Sequence, residues 1–252
     1  MASAGKKTAK RRLDSILVER GLAENQTRAR ALVMAGVVFS GETRLEKPGI
    51  QTDPDIEIEV RGAEHPWVGR GGIKLAHALD YFQIDPSGAT ALDVGASTGG
   101  FTDVLLSRGA ARVYAVDVGK GQLAWSLRQD PRVVVMEGVN ARTLSADEIA
   151  DPITLIVCDA SFIGLEVLLP LPLALAVPGA HLVALIKPQF EVGPSRVGKG
   201  GIVRDPDLHT EVCERIQQWL TDQGWNVLGV TKSPITGAKG NQEFLIAARI
   251  GA

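Results

Sequence analysis

The 252 residues exceed one ordinary domain and allow one large domain or two unequal ones, and an apolar content of 45% is enough for a sizeable core. A formal charge of -2 excludes nucleic-acid affinity spread over the whole surface. Charge is unevenly placed, however: residues 1–50 carry ten Lys and Arg against five Asp and Glu, a net +5 that leaves -7 on the remainder, which reads as a nucleic-acid-binding appendage on a neutral-to-acidic body.

Residues 1–11 form a basic tail. In the RLDSILVERGL stretch that follows, Leu13, Ile16 and Leu17 recur at helical spacing, and Gly21 stands where the helix should stop. Asn25 or Thr27 can cap a second helix, TRARALVMAG, with Ala31, Leu32, Val33 and Met34 expected inward, Arg28 and Arg30 left free, and Gly36 at its end. Val37, Val38 and Phe39 lead to a Ser40-Gly41 turn, and residues 56–60 alternate apolar with acidic as a half-exposed strand should. The expectation is a small α+β domain over 12–62. Residues 63–72, AEHPWVGRGG, combine a proline, three glycines and an exposed-looking Trp67, and read as a linker to a second domain at 73–252.

That second domain opens with a helix carrying Ile73, Leu75, Ala76 and Leu79 and then alternates strands with helices. Strands are expected at 90–95, 113–118, 133–136, 153–159 and 181–187, and helices at 101–107, 122–128, 165–177 and 206–223. Two last strands, 225–230 and 243–250, lie too close together for a crossover helix and should pair antiparallel. The fold class is α/β: a Rossmann-like parallel sheet ending in a hairpin, the class I methyltransferase pattern rather than the dehydrogenase one.

The stretch ALDVGASTGGF at 91–101 runs an apolar strand into a glycine turn. Gly95, Gly99 and Gly100 do not make the G-x-G-x-x-G that cradles a pyrophosphate. The turn suits S-adenosylmethionine, which has no phosphate and needs a tight backbone, small side chains and carboxylates for its ribose hydroxyls and ammonium. Asp93, Gly95, Ser97, Gly99, Gly100 and Phe101 are the candidate cofactor residues here. Open α/β sheets bind ligands at the carboxyl ends of their strands. Asp117 at the second strand end is placed for the ribose, Asn140 after the third for the adenine edge, and Asp159 after the fourth for the methyl donor. Asp117 and Asp159 could instead cap the following helices.

Cys158 and Cys213 lie outside any C-x-x-C and are expected to be reduced and buried in a cytoplasmic protein, and the four histidines are too scattered to imply a metal site. The first 17 residues lack the apolar core of a signal peptide. The longest apolar run, 167–177, is broken by Pro170 and Pro172, so no membrane span is expected.

The phrase LDSILVERGLAENQTRARALVMAGVVFSGE resembles the ribosomal-protein-S4-like RNA-binding domain. That resemblance implies phosphate contacts from Arg28 and Arg30, with Arg12 at the domain's start; the alternative is that these arginines only solvate a helix face. GRGGIKL at 69–75, LDVGASTGGFTD at 92–103, VCDASFIGL at 157–165, LIKPQFE at 185–191 and KGNQEFL at 239–245 together resemble the FtsJ-like ribose 2'-O-methyltransferases and, over nearly the whole chain, the TlyA family, whose members are often labelled hemolysins. The resemblance implies a catalytic tetrad of Lys74, Asp159, Lys187 and Glu243. A ribose hydroxyl is a poor nucleophile, so Lys187, beside Lys74 and partly desolvated, would act as base or orient the hydroxyl. It also implies ribosomal RNA or ribosomal subunits as partner, with cytidine 2'-O as acceptor. The glycine-rich segment after Lys187 is expected to be a mobile RNA-facing loop, with Arg196, Lys199 and Arg204 near the substrate and Phe190 stacking on a base.

Three other readings make different demands. A membrane-active protein would need an amphipathic or apolar segment, and a silent RNA-binding assembly factor would show a broken tetrad. A base-amine acceptor would favour an Asn/Asp-Pro-Pro-aromatic strand end, whereas Asp159 is followed by Ala-Ser-Phe. Oligomeric state, and which ribosomal subunit is modified, stay open.

Overall fold

The computed structural model describes residues 10–20, 22–23, 25–60, 65–237 and 240–251. The basic start at 1–9, the helix stop expected at Gly21, the stretch 61–64 at the head of the linker, and Lys239 of the KGNQEFL motif lie outside the described residues. Contacts divide the chain into two units, Met1–Pro66 and Trp67–Ala252.

The first unit holds β1 (Arg11–Arg12), α1 (Leu13–Glu19), α2 (Gln26–Met34), β2 (Val38–Ser40), β3 (Thr43–Arg44), β4 (Gln51–Thr52) and β5 (Glu59–Val60). β1 pairs with β4, and β2 lies between β3 and β5, all antiparallel. Asn25 is the cap of α2, its side chain accepting the Arg28 amide. The inward face differs from expectation. Ala29 and Val33 are buried while Ala31 and Met34 are exposed, because positions four apart share a helix face and 31 and 34 fall on the other side. Ala29 and Val33 meet Leu13, Leu17 and Val38 in a small core. The alternation over 56–60 is present in the burial, but only Glu59–Val60 joins a ladder.

The second unit begins earlier than the helix that follows it. Trp67 and Val68 are half-buried against one of the sheet's two cores, so Trp67 is packed rather than an exposed linker residue. The elements are α3 (Gly71–Phe82), β6 (Thr90–Val94), α4 (Gly100–Ser107), β7 (Arg112–Asp117), α5 (Trp125–Arg128), β8 (Val133–Glu137), β9 (Ile153–Cys158), α6 (Leu165–Leu168), α7 (Pro170–Ala174), β10 (Ala176–Ile186), α8 (Pro188–Glu191), α9 (Pro206–Asp222), β11 (Trp225–Lys232) and β12 (Phe244–Ile250). The sheet order is β11-β12-β10-β9-β6-β7-β8. β6 to β10 pair parallel, and β12 runs antiparallel to both β10 and β11. The final hairpin is therefore present, and β12 enters the sheet between β10 and β11.

Strands buried on both faces read as unbroken apolar runs, which is why they were visible in the sequence. Alternate residues serve two cores: Leu92, Ile156, Leu182 and Ile246 lie on one face, and Ala91, Leu155, Val183 and Leu245 on the other. Each fully buried Leu or Ile contributes about 1.5–3 kcal/mol. One helix is corrected: 165–177 is not continuous. The chain forms α6, turns at Leu169, and re-enters α7 with Pro170 at its first position and Pro172 following; β10 starts at Ala176. α5 is also shorter than expected, beginning only at Trp125 because Ala124 before it is extended, with ψ 141°.

Candidate active site

The carboxyl ends of the parallel strands and the beginning of β12 meet at one edge of the sheet, and a cleft opens there. One lobe, about 610 Å³, is lined by Lys74, Phe101, Asp159, Lys187 and Glu243 among others. A second, about 430 Å³, is lined by Asp117, Val118, Gln122, Val139, Asn140 and Ile163 among others. Gly95, Ser97, Asp159, Ser161 and Phe162 border both, so the two lobes adjoin.

The glycine turn forms the wall they share. Gly95 has φ +85°, and a Cβ there would stand 3.0 Å from the Ala160 Cα, so the turn and the segment after β9 touch backbone to backbone. Ser97, at φ +49°, donates its amide to Asp117 Oδ2 at 2.8 Å, and Asp117 Oδ1 accepts the Gly119 amide at 2.7 Å. Asp117 thus shapes both flanking turns while lining the second lobe. Asn140 similarly accepts the Arg142 amide at 3.1 Å from its place in that lobe. Gly100 brings α4 against Gly72 of α3, while Gly99 packs on Leu123 and Leu127 and does not line the cleft.

Asp93 is corrected more sharply. It is fully buried behind the turn and lines neither lobe. Strand alternation turns it under α4, where Thr102 Oγ1 donates to Oδ2 at 2.7 Å and Oδ1 has no partner. Burial, with smaller contributions from Asp159 and Asp117, pushes its carboxyl up to about 7 against the Thr102 bond. A residue the sequence reading missed organises the second lobe. Glu137 accepts the amides of Gly121 (2.7 Å), Gln122 (2.9 Å) and Leu123 (3.0 Å) and pairs with Arg128 at 2.5 Å. The Arg128 guanidinium beside it, then these amides, hold its carboxyl at about 2 despite some burial. Its position, an acid at the end of β8 before Gly138, does not by itself set it apart from other strand-end acids.

Lys74, Asp159, Lys187 and Glu243 come together although they lie on four separate segments. Lys74, on the first turns of α3, places Nζ 2.6 Å from Glu243 Oε2 and 3.7 Å from Asp159 Oδ2. Lys187 Nζ is 2.5 Å from Asp159 Oδ1 and donates to Ser161 Oγ at 3.0 Å. Three of the side chains are under one-tenth exposed and Asp159 is 20% exposed. Cations and anions alternate along the row, so the cluster is neutral overall. Charges this buried persist only when paired, and removing one partner of such a pair typically costs about 3–5 kcal/mol. Ser161 was within a quoted motif but not singled out.

Phe190 lines the first lobe, its ring 5.1 Å from that of Phe162, which is 89% exposed at φ +68°. The segment after α8 is held in place: Asn241 accepts the Val203 amide at 3.1 Å and donates to the Gly201 carbonyl at 2.9 Å. Arg196 forms a two-pronged pair with Glu211 and is committed to α9, while Lys199 and Arg204 are exposed and line neither lobe. In the first unit, Arg12 and Arg30 both bond to the fully buried Asp14, at 2.6 and 3.1 Å, with Arg12 the larger cause of holding that carboxyl at about 2. Arg28 is exposed on the same helix. Among the described residues, no cluster of His, Cys, Asp and Glu could hold a metal ion, and no helix is long and apolar enough to cross a membrane. Both cysteines are buried; burial pushes the Cys158 thiol to about 12, where it is unreactive.

Residues 67–250 match the FtsJ-like methyltransferase family. A provisionally assigned rRNA methyltransferase of Bacillus subtilis, YqxC, is 49% identical, with 94% of this chain and 85% of that one covered. The 16S/23S rRNA (cytidine-2'-O)-methyltransferase TlyA of Mycobacterium tuberculosis is 46% identical over 94% of this chain and 89% of its own. A solved structure from Streptococcus thermophilus, provisionally described as a hemolysin, superimposes with a TM-score of 0.76 at 41% identity, covering 96% of this chain and 89% of that one. On the family match over the whole second unit and these likenesses over nearly its full length, the chain belongs to the FtsJ-like methyltransferase family.

Proposed function

We propose that this protein transfers a methyl group from S-adenosylmethionine to the 2'-hydroxyl of a cytidine in ribosomal RNA, acting on ribosomal subunits in the cytoplasm. The observation that carries this reading is the neutral row Lys74, Asp159, Lys187 and Glu243 set in a cleft beside a phosphate-free glycine turn. The cleft fits the cofactor: Asp117, Gln122 and Asn140 offer polar groups in a lobe also lined by the apolar Val139, Ile163 and Leu168. When bound, S-adenosylmethionine supplies an electrophilic methyl group on a sulfonium.

The residues do the rest. Asp159 faces the boundary of the two lobes and offers carboxylate oxygens to positive charge there. Lys187, fixed by Asp159 and Ser161, aims its Nζ into the first lobe, where it orients the ribose hydroxyl and, having first released its own proton to solvent, accepts the hydroxyl proton as the methyl group transfers. Lys74 and Glu243 complete the row and keep the site near neutral as that proton moves. Holding the hydroxyl in line supplies much of the acceleration. Arg28 and the first unit contribute salt-sensitive phosphate contacts that position the RNA without reading its sequence.

The test incubates purified protein with labelled S-adenosylmethionine and unmodified ribosomal subunits or their RNA, then maps the label by nuclease digestion and mass spectrometry. A 2'-O-methylcytidine is expected. Cofactor binding without transfer to any ribosomal substrate would favour a catalytically silent RNA-binding factor.

A further inference from the structure

The motif LIKPQFE contributes Lys187 to the site, and the last residue of the same motif has no part in the chemistry. Glu191 is nonetheless almost fully enclosed, its side chain 3% exposed. One carboxylate oxygen accepts the backbone amide of Leu165 at 2.9 Å. The other takes Arg215 of α9 at 3.0 Å; that guanidinium also bonds the Glu191 carbonyl at 3.1 Å and pairs with Glu166. Gly164 has no side chain where one would collide, since a Cβ there would stand 3.0 Å from Glu191 Oε2.

The placement of these contacts gives them a meaning beyond stability. Two segments leave neighbouring parallel strands: one runs from Asp159 through Ser161 to Leu165, the other from Lys187 to Glu191. At the cleft end they are joined by Lys187 to Asp159 and Ser161. At the far end they are joined by Glu191 to Leu165. The two junctions close a ring. We propose that Glu191 is a positioning residue that fixes Asp159 and Lys187 relative to each other through its bond to the Leu165 amide, with Arg215 holding the carboxylate in place.

The tether and the ion pair can be separated. Glu191→Gln keeps an oxygen for the Leu165 amide but gives up the charge that Arg215 pairs with; Glu191→Ala loses both. Both variants should unfold at lower temperature than the wild type. If the tether positions the site, turnover per bound S-adenosylmethionine falls roughly 10- to 100-fold in Glu191→Ala, the range expected for a displacement of about 1 Å, and is largely retained in Glu191→Gln, with cofactor affinity little changed in either. Equal turnover loss in both variants, tracking thermal stability, would overturn the proposal and make the residue a structural ion-pair partner. Undiminished turnover in Glu191→Ala would overturn it as well. Should Glu191→Ala fail to fold, Gly164→Ala crowds the same carboxylate from the opposite side and is expected to lower turnover with the charge intact.

The inference rests on the methyl-transfer reading, so a second measurement stands apart from it. Crystal structures of the cofactor-bound variants show the Lys187–Asp159 contact whether or not any RNA is methylated. Expected is a lengthened contact in Glu191→Ala and an unchanged one in Glu191→Gln; an unchanged contact in both refutes the tether. Loss of transfer in the wild type would count against the reaction instead.

Discussion

Replacing Asp93 by Asn makes a sharp test of the electrostatics beneath the glycine turn. The native carboxyl is buried, has one orphaned oxygen, and is pushed from 3.8 to about 7. Above pH 4 the unfolded chain has released this proton and the native state still holds it, so the native state binds more protons and stability falls as pH rises. The fall continues through the native value and levels off above about pH 7. Each pH unit well inside the window is worth about 1.4 kcal/mol and the slope halves at the native value, so between pH 5 and 7 this single group removes about 2 kcal/mol. Asn keeps the shape and an acceptor for Thr102 and does not titrate. Urea unfolding of wild type and Asp93→Asn at pH 5, 6, 7 and 8 isolates the effect, because every other titrating group cancels in the difference. The variant should gain about 3 kcal/mol relative to wild type across that range, starting from a deficit of about 1–3 kcal/mol for a buried amide without a full set of partners. Parallel curves would refute the reasoning and mean that Asp93 ionises normally.

Three other outcomes are expected. Lys187→Ala should bind S-adenosylmethionine within a few-fold of wild type by calorimetry and lose transfer by at least about 100-fold; an equal loss of binding would make it a cofactor residue. Glu137→Ala should cost about 2–3 kcal/mol at pH 7, weaken cofactor binding by freeing the 121–123 amides, and be visible in thermal unfolding. With the native carboxyl at about 2, the wild-type contribution is fully present above about pH 4.5 and lost only as pH falls from there through 2, so no change in that difference is expected between pH 6 and 8. Arg28→Glu should weaken RNA binding and flatten its salt dependence by about one unit of slope, whereas an unchanged slope removes the first unit from substrate binding. Arg30→Glu is a poorer probe, because it also breaks a bond to the buried Asp14.

What could be read beforehand followed from how each element is stabilised. Strands buried on both faces announce themselves as apolar runs, and the hairpin followed from a connection too short for a crossover. The helix at 165–177 was misread because Leu, Ala and Val fit a helix as well as a buried strand. Pro170 breaks the run after Leu169, and from Ala176 the chain pairs with β9. Asp93 was misplaced because a motif gives the spacing of a carboxylate along the chain and not the side of the strand it faces. Arg196 and Glu211 lie fifteen residues apart, and nothing along the sequence announces that they pair on the surface. The contacts of Glu137 and Glu191 with backbone amides carry no signature at all, since any sequence supplies amides. They become visible only once the turns are in place.

The antiparallel course of β12 has a consequence for how the protein comes to be active. Glu243 can stand among the ends of parallel strands only because the strand it precedes runs the other way, and that strand is the last in the chain although two neighbours flank it in the sheet. The partner of Lys74 therefore arrives 169 residues after it. The row is therefore complete only once β12 has paired with β10, so insertion of that strand and assembly of the site are one event.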